Sequence, residues 1–453
     1  MSNLPEGISL GRHYDDATGR AGNKVVYEGE RHLLLFGPNG TGKGTRFLIP
    51  NLLSIKDRSI VVVDPKGELA AVTADYRRTV GDVVMLNPFN VLGLGSAGFN
   101  PLALLDPTSP NFYDDAAALG EALIKIEGKD PHWTESAQGL LVALIMWEKL
   151  QKGDAANLEN VRALLTEADR WERYTGEDGK PRERPKGGLR VTAADMVQSG
   201  GYEIASLAAR FTEQSNELSS VRSTADTQTR WILSPPMRDD LKKNGVDFRR
   251  LKEKPTTVYV ILPAERMRTH SVWLRLVIVS ALRALYRAGG LRTLLLIDEM
   301  PALGHLAPLE DAFGLVRGYK VQIAGICQDL NQLKALYNDR WESFLANAGV
   351  VQGFTPNDLT TAKWMSERAG QSTVIAPSSS ESRSPERGQV SESTSWSQVA
   401  RPLYLPQELM GFAEGTGLLW LAGMANGVRF FAPPYWKIEQ AEKRAASNPY
   451  YEG

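Results

Sequence analysis

"HLLLFGPNGTGKGTRFLIPNLL", residues 32–53, sets a short, largely apolar run against a glycine-rich turn, and follows the turn with apolar residues at helical spacing. A strand, a turn and a helix in that order are the context in which such a loop grips phosphate. Gly37, Gly40 and Gly42 let backbone N–H groups converge on phosphate oxygens, Lys43 brings a point charge toward the β and γ phosphates, and the helix N-terminus adds its dipole. Pro38, Asn39, Thr41 and Gly44 complete the loop. Gly44 stands where a magnesium-binding hydroxyl is expected after the lysine, which leaves Thr45, or a water held by an acidic residue elsewhere, to serve the metal. The expected ligands are ATP and Mg2+, and the loop expected to bind them is Gly37–Thr45.

Working outward, five more short apolar runs read as strands buried on both faces: 59–64, 82–87, 256–263, 293–299 and 321–328. Helical patterns lie between most of them, so the chain is expected to be α/β with a largely parallel sheet. Between 108 and 235 the strand signal disappears. Helix patterns replace it, as in "DPHWTESAQGLLVALIMWEKL", where Asp130 suits a cap and Pro131 a first turn. The expected organisation is a nucleotide-binding domain in two segments, 1–107 and 236–453, interrupted by an all-α domain at 108–235. Residues 173–188 lack apolar periodicity and read as an exposed loop. The serine-rich stretch 376–400 has almost nothing to bury and reads as mobile, or ordered only by a partner. A hairpin with a tight turn is expected around Asn426-Gly427.

Bulk properties restrict the classes of function. A net charge of -1 excludes a uniformly basic nucleic-acid coat but leaves room for a local basic groove. The single cysteine, Cys327, excludes an intrachain disulfide framework and a thiolate-rich zinc site, fits a reducing compartment, and reads as an inert buried thiol. No apolar run reaches the ~18 residues needed to span a bilayer.

A second motif gives the loop its chemistry. "TLLLIDEM" ends a strand in Asp298 and Glu299. After a phosphate loop upstream, an aspartate in this place holds magnesium and the next glutamate orients or deprotonates the attacking water. Gln328 closes the strand "VQIAGICQ" and is either a polar strand end or an amide that touches the γ-phosphate or the lytic water. Arg317 precedes Gly318 where a helix stops; it either favours the negative end of that helix or serves a site elsewhere. Two basic stretches, 241–254 and 266–276, are either phosphate-contacting surfaces or solvated helix faces.

The strings "GPNGTGKGTRFLIPNLL", "VVVDPKGEL", "NPFNVLG", "DPHWTESA", "LLLIDEMPALGHLAPLEDAFGLVRGYKVQIAGICQDLNQLKALY" and "RPLYLPQEL" together resemble the coupling proteins of type IV secretion systems, the motor-like ATPases of bacterial conjugation. The resemblance runs from about 30 to about 412. It implies a RecA-like domain interrupted by an all-α domain, assembled as a hexamer around a DNA channel. It also implies that Lys43-Gly44 is an ordinary form of the loop, that Arg317 reaches into a neighbouring subunit's site, and that Gln328 senses nucleotide. The implied catalytic set is Lys43, Glu299, Gln328 and Arg317, with Thr45 and Asp298 at the metal. Implied partners are single- or double-stranded DNA with its nucleoprotein transfer complex, and components of the secretion channel. The implied location is cytoplasmic, at the inner face of the inner membrane. Members of this family usually begin with a pair of membrane helices that this sequence lacks; either it starts after them, or the protein reaches the membrane through a partner, hexameric or monomeric. Rival expectations are a docking platform that binds ATP and cargo without translocation, and a chromosome-segregation type DNA pump. The "DPKGE" turn, Asp64–Glu68, is a further hallmark of the resemblance without an assigned role.

Overall fold

The structure, a computed structural model, describes residues 7–125, 131–286, 288–383 and 390–451. Its strands are β1 (Ile8–Asp15), β2 (Arg20–Tyr27), β3 (His32–Phe36), β4 (Arg58–Asp64), β5 (Asp82–Leu86), β6 (Arg170–Thr175), β7 (Pro181–Gly187), β8 (Thr256–Ile261), β9 (Arg292–Ile297), β10 (Val321–Cys327), β11 (Ala348–Phe354), β12 (Gln371–Arg383), β13 (Val390–Pro402), β14 (Thr416–Leu421) and β15 (Val428–Phe431). Eleven of them form one sheet in the order β2-β1-β15-β14-β11-β3-β10-β9-β4-β8-β5. From β11 to β5 every neighbouring pair is parallel, and the other edge is an antiparallel meander. All six runs read as buried strands lie in the parallel part.

Because successive strand side chains point to opposite faces, the sheet divides its apolar residues between two cores. One face carries Leu34, Phe36, Val61, Val63, Leu295 and Ile297, and every buried apolar residue of the helices between β5 and β8 joins it. The other face carries Leu33, Leu35, Ile60, Val62, Leu294 and Leu296, covered by Phe47–Leu53, the helix Glu68–Val80 and the C-terminal segment. The helix Ala264–Leu285 buries Trp273 completely against the first face. No described helix is long and apolar enough to cross a membrane.

The helical stretch expected at 108–235 contains helices from Phe112–Leu123 to Asn216–Thr229, the longest being His132–Lys152, and the helix Pro235–Leu241 begins at its end. Pro131 immediately precedes that helix, as its fixed φ favours; Asp130, read as its cap, lies outside the described residues. Residues 173–188 are not a loop but most of a hairpin, β6 with β7. Alternating charges hold it: Glu172 pairs with Arg184 and Lys186, and Arg173 with Glu183. Cross-strand pairs of this kind stabilise a ribbon that has no apolar face to bury, which is why apolar periodicity missed it.

The described parts of the serine-rich stretch, 376–383 and 390–400, likewise belong to an antiparallel ribbon, β12 with β13, running from Gln371 opposite Pro402 to Arg383 opposite Val390, while 384–389 lie outside the described residues. A ladder satisfies backbone groups whatever the side chains, and the β-branched Thr373, Val374, Ile375 and Val399 near its base favour it. The expected hairpin near the end is β14 with β15, but its loop spans 422–427 rather than a two-residue turn at Asn426-Gly427. Gly427 instead lies where a Cβ would meet the Trp420 ring at 2.8 Å.

Candidate nucleotide-binding site

Four adjacent strands, β3, β10, β9 and β4, end side by side, and the residues that follow them line one edge: Gly37, Gln328, Asp298 and, closing β4, Asp64. The carboxyl ends of parallel strands are where open α/β sheets bind ligands. Gly40 (φ 86°) and Gly42 (φ 82°) take left-handed conformations that other residues adopt only with strain, and Thr41 closes the loop by donating its Oγ1 hydroxyl to the Pro38 carbonyl at 2.8 Å. The chain then enters a wide π-type turn, Lys43–Leu48, before the short helix Ile49–Leu52. Asn51, wholly buried, ties this turn to β1 through the Ser9 backbone, accepting at 2.7 Å and donating at 3.0 Å. Arg46 anchors its other side, pairing with Glu414 and donating to the Ala432 carbonyl at 2.8 Å.

Lys43 is buried, and its ammonium donates to the carbonyls of Gly37 and, at 3.2 Å, Pro38, acceptors belonging to the loop itself. Burial lowers its pKa, while Asp298 and Glu299 pull the other way. Burial pushes the Asp298 carboxyl up to about 6 despite the nearby Lys43 cation. Asp298 Oδ1 accepts the N–H of Glu299 at 3.1 Å. Glu299 itself sits at φ 57°, a left-handed conformation that a non-glycine residue holds only against strain. The Gln328 amide donates Nε2–H to Glu299 Oε1 at 3.0 Å, and its backbone N–H is fixed by Gln332 Oε1 at 2.9 Å. The acidic couple, the lysine and the glutamine named from sequence therefore converge.

The residues fit a magnesium nucleotide. A Cβ at Gly40 or Gly44 would meet nothing within 4 Å, so the loop opens onto free space, and Gly44 is not imposed by crowding. Thr45 is buried with its hydroxyl at 3.3 Å from the Gly42 carbonyl, a weak bond that metal ligation could replace. Among the described residues no group of three or more His, Cys, Asp or Glu can hold a metal alone, so a divalent ion here needs phosphate oxygens to complete its shell.

Arg317 is the exception. It precedes β10, whereas Gln328 follows it, so about 23 Å of strand separates them (seven residues at ~3.3 Å). There Arg317 is exposed and lines a cleft with Tyr27, Glu30 and Arg31. The chain does not bring it to its own loop. Cys327 is wholly buried and its thiol pKa is raised by that burial, which makes it inert. The basic stretch 241–254 is largely paired within the chain, Lys242 with Glu159, Arg249 with Asp247 and Lys254 with Asp82. In 266–276, Arg275 is buried and donates to carbonyls of Ala122 and Leu303, which leaves Arg266 and Arg268 exposed.

Sequence reasoning missed what the "DPKGE" turn does. Asp64 accepts the N–H of Ala70 at 2.8 Å and of Lys66 at 3.3 Å, holding the start of the helix Glu68–Val80, and burial pushes its carboxyl up to about 7. The signal was the motif itself; its neighbour Asp298 could not be read, because β4 and β9 are far apart in sequence.

The family described as "Type IV secretory system Conjugative DNA transfer" matches residues 8–448. "Conjugal transfer protein TraG" of Escherichia coli is 27% identical over 415 residues, 85% of this chain and 62% of that protein. "Type IV secretion system-coupling protein VirD4" of Bartonella quintana (strain Toulouse) is 26% identical over 401 residues, 84% of this chain and 59% of that protein. The chain thus spans about three fifths of the length of these relatives. Among solved structures, the trigonal sulphate form of "Bacterial conjugative coupling protein TrwBdeltaN70" has a TM-score of 0.66 at 16% identity and covers 96% of both chains. "Plasmid coupling protein TrwB in complex with ADP and Mg2+" has a TM-score of 0.63 at 17% identity, again over 96% of both. At these identities the likeness is one of fold.

Proposed function

This chain belongs to the type IV secretory conjugative DNA-transfer family, and from that premise we propose that it is an ATP-hydrolysing coupling protein that moves DNA and associated protein toward a secretion channel. The observation that carries this reading is the hydrogen bond from Gln328 to Glu299 beside Asp298, at the edge where the Lys43 loop opens. Lys43 and the loop Gly37–Thr45 hold the phosphates, and Thr45 and Asp298 hold the magnesium ion that the nucleotide brings, which supplies Lewis-acid stabilisation of the phosphoryl group when bound. Glu299 takes the proton from an attacking water that its carboxylate orients. Gln328 keeps Glu299 in place and registers the terminal phosphate. That a relative of the same fold was solved with ADP and Mg2+ supports the ligand assignment.

Arg317 completes the site of a neighbouring copy, an assignment supported by its exposure and its distance from its own chain's loop. The helical segment 108–235 acts as an inserted cargo-selecting unit, and contacts to DNA fall mainly on phosphates. The protein works at the inner face of the membrane in a ring, six copies by the family resemblance. Hydrolysis measured against protein concentration, with and without single- and double-stranded DNA, tests this for wild type, Glu299→Gln and Arg317→Ala. Turnover should rise steeply with concentration, increase with DNA, and fall roughly a hundredfold or more in both variants. Turnover that ignores DNA would favour the docking platform, and turnover that survives Arg317→Ala would defeat the shared site.

A further inference from the structure

The "DPKGE" turn has no part in the site as proposed above, yet it overhangs the same edge. β4 and β9 are paired in parallel with Val63 opposite Ile297, so Asp64 and Asp298 close neighbouring strands. The turn is held from within and from outside. Asp64, 1% exposed, accepts the N–H groups of Lys66 and Ala70, and Gly67 turns the chain at φ 71°. From the C-terminal segment, the Tyr450 hydroxyl donates to the Lys66 carbonyl at 2.8 Å and Asn448 Nδ2 donates to Glu68 Oε1 at 2.8 Å.

The backbone is therefore fixed around one residue whose side chain is exposed and has no ion-pair partner among the described residues, Lys66. Its turn follows β4, the strand paired beside β9, so Lys66 and Asp298 come after adjacent strand ends. Two lysines along one strand-end edge suit a polyanion better than either lysine would alone. Phosphates gripped after β3 would run along the edge past β10 toward Asp298 at β9. β4 lies three strand spacings from β3, roughly 14 Å, a gap that a triphosphate held after β3 and the long Lys66 side chain reaching back from β4 would span together.

We propose that Lys66 is a second phosphate-directed cation of the site and contacts the terminal phosphate of a bound nucleoside triphosphate. The inference rests on the nucleotide reading above and is separable from it. Affinities for fluorescent ADP and for a β,γ-imido ATP analogue, each with Mg2+, are measured for wild type, Lys66→Ala, Lys66→Arg and Lys43→Ala. The wild type should prefer the triphosphate analogue. Lys66→Ala should keep its ADP affinity within about twofold and lose roughly tenfold in analogue affinity, and Lys66→Arg should restore most of it. A wild type without that preference, an Ala variant like wild type, or equal loss of both ligands overturns the role of Lys66. Failure of wild type to bind either ligand, or indifference to Lys43→Ala, overturns the nucleotide reading, and the role of Lys66 with it.

Discussion

Asp298 shows how a single residue trades stability for chemistry. Its folded-state pKa, about 6, stands above the ordinary value of 3.8 because burial outweighs the attraction of Lys43. Below about pH 4 both folded and unfolded chains hold the proton, and the group costs nothing. As pH rises toward 6 the unfolded chain releases it first, so stability is lost through that window and stays lost above it. Asp298→Asn keeps an acceptor for the Glu299 N–H but has no proton to lose. Urea unfolding of the nucleotide-free protein should find the variant more stable than wild type by on the order of 1 to 3 kcal/mol at pH 8, with the difference vanishing near pH 4. The same change should abolish magnesium-dependent hydrolysis. A variant less stable than wild type at pH 8 would mean that Lys43 already compensates the buried charge. The left-handed backbone of Glu299 adds strain at the same partly buried strand end, where the proposed ligand would sit.

At the scale of elements, the β12–β13 ribbon pairs only with itself and adds nothing to the eleven-stranded sheet. Ile375 and Trp396, 64% and 70% exposed, contribute little burial to the core. A two-stranded ribbon is marginal by itself, so replacing residues 376–397 with a short Asn-Gly turn should leave the thermal midpoint within a few degrees of wild type, by calorimetry. A large drop would show that the ribbon braces the fold. The contrast with the central strands explains what the sequence allowed. β3, β4, β8, β9 and β10 are buried on both faces, and these five together with β5, a partly buried edge strand, read directly as apolar runs. β1, β2 and β11 were missed: the first two alternate weakly at an edge, and "AGVVQGF" is interrupted by glycines and Gln352. Ribbons held by charge pairs or by the ladder alone carry no apolar pattern to find. In the site, Lys43, Asp298, Glu299 and Gln328 were legible because each follows a strand that could be recognised. The setting of Lys66 was not, since it depends on β4 lying beside β9 and on a hydroxyl from Tyr450 near the other end of the chain.

For the whole molecule the decisive geometry is that Arg317 and Gln328 stand at opposite ends of β10. A rigid strand of that length prevents one chain from using both at one phosphate, but copies related by rotation can present the Arg317 end of one to the Lys43 loop of the next. On the proposed reading catalysis would be a property of an interface, and complementation can test it. Glu299→Gln subunits have a defective site and an intact arginine; Arg317→Ala subunits have an intact site and no arginine to lend. Each alone should be nearly inactive. In an equal mixture, about a quarter of the interfaces by random assortment place an intact site against an intact arginine, and those interfaces should hydrolyse ATP. Steady-state turnover of the mixture should therefore rise far above the mean of its two components, reach roughly a quarter of wild type if interfaces fire independently, and fall below that if the ring works only when neighbouring sites act in turn. A mixture no more active than the average of its components, under conditions where wild type assembles and turns over, would leave Arg317 without a role in its neighbour's chemistry.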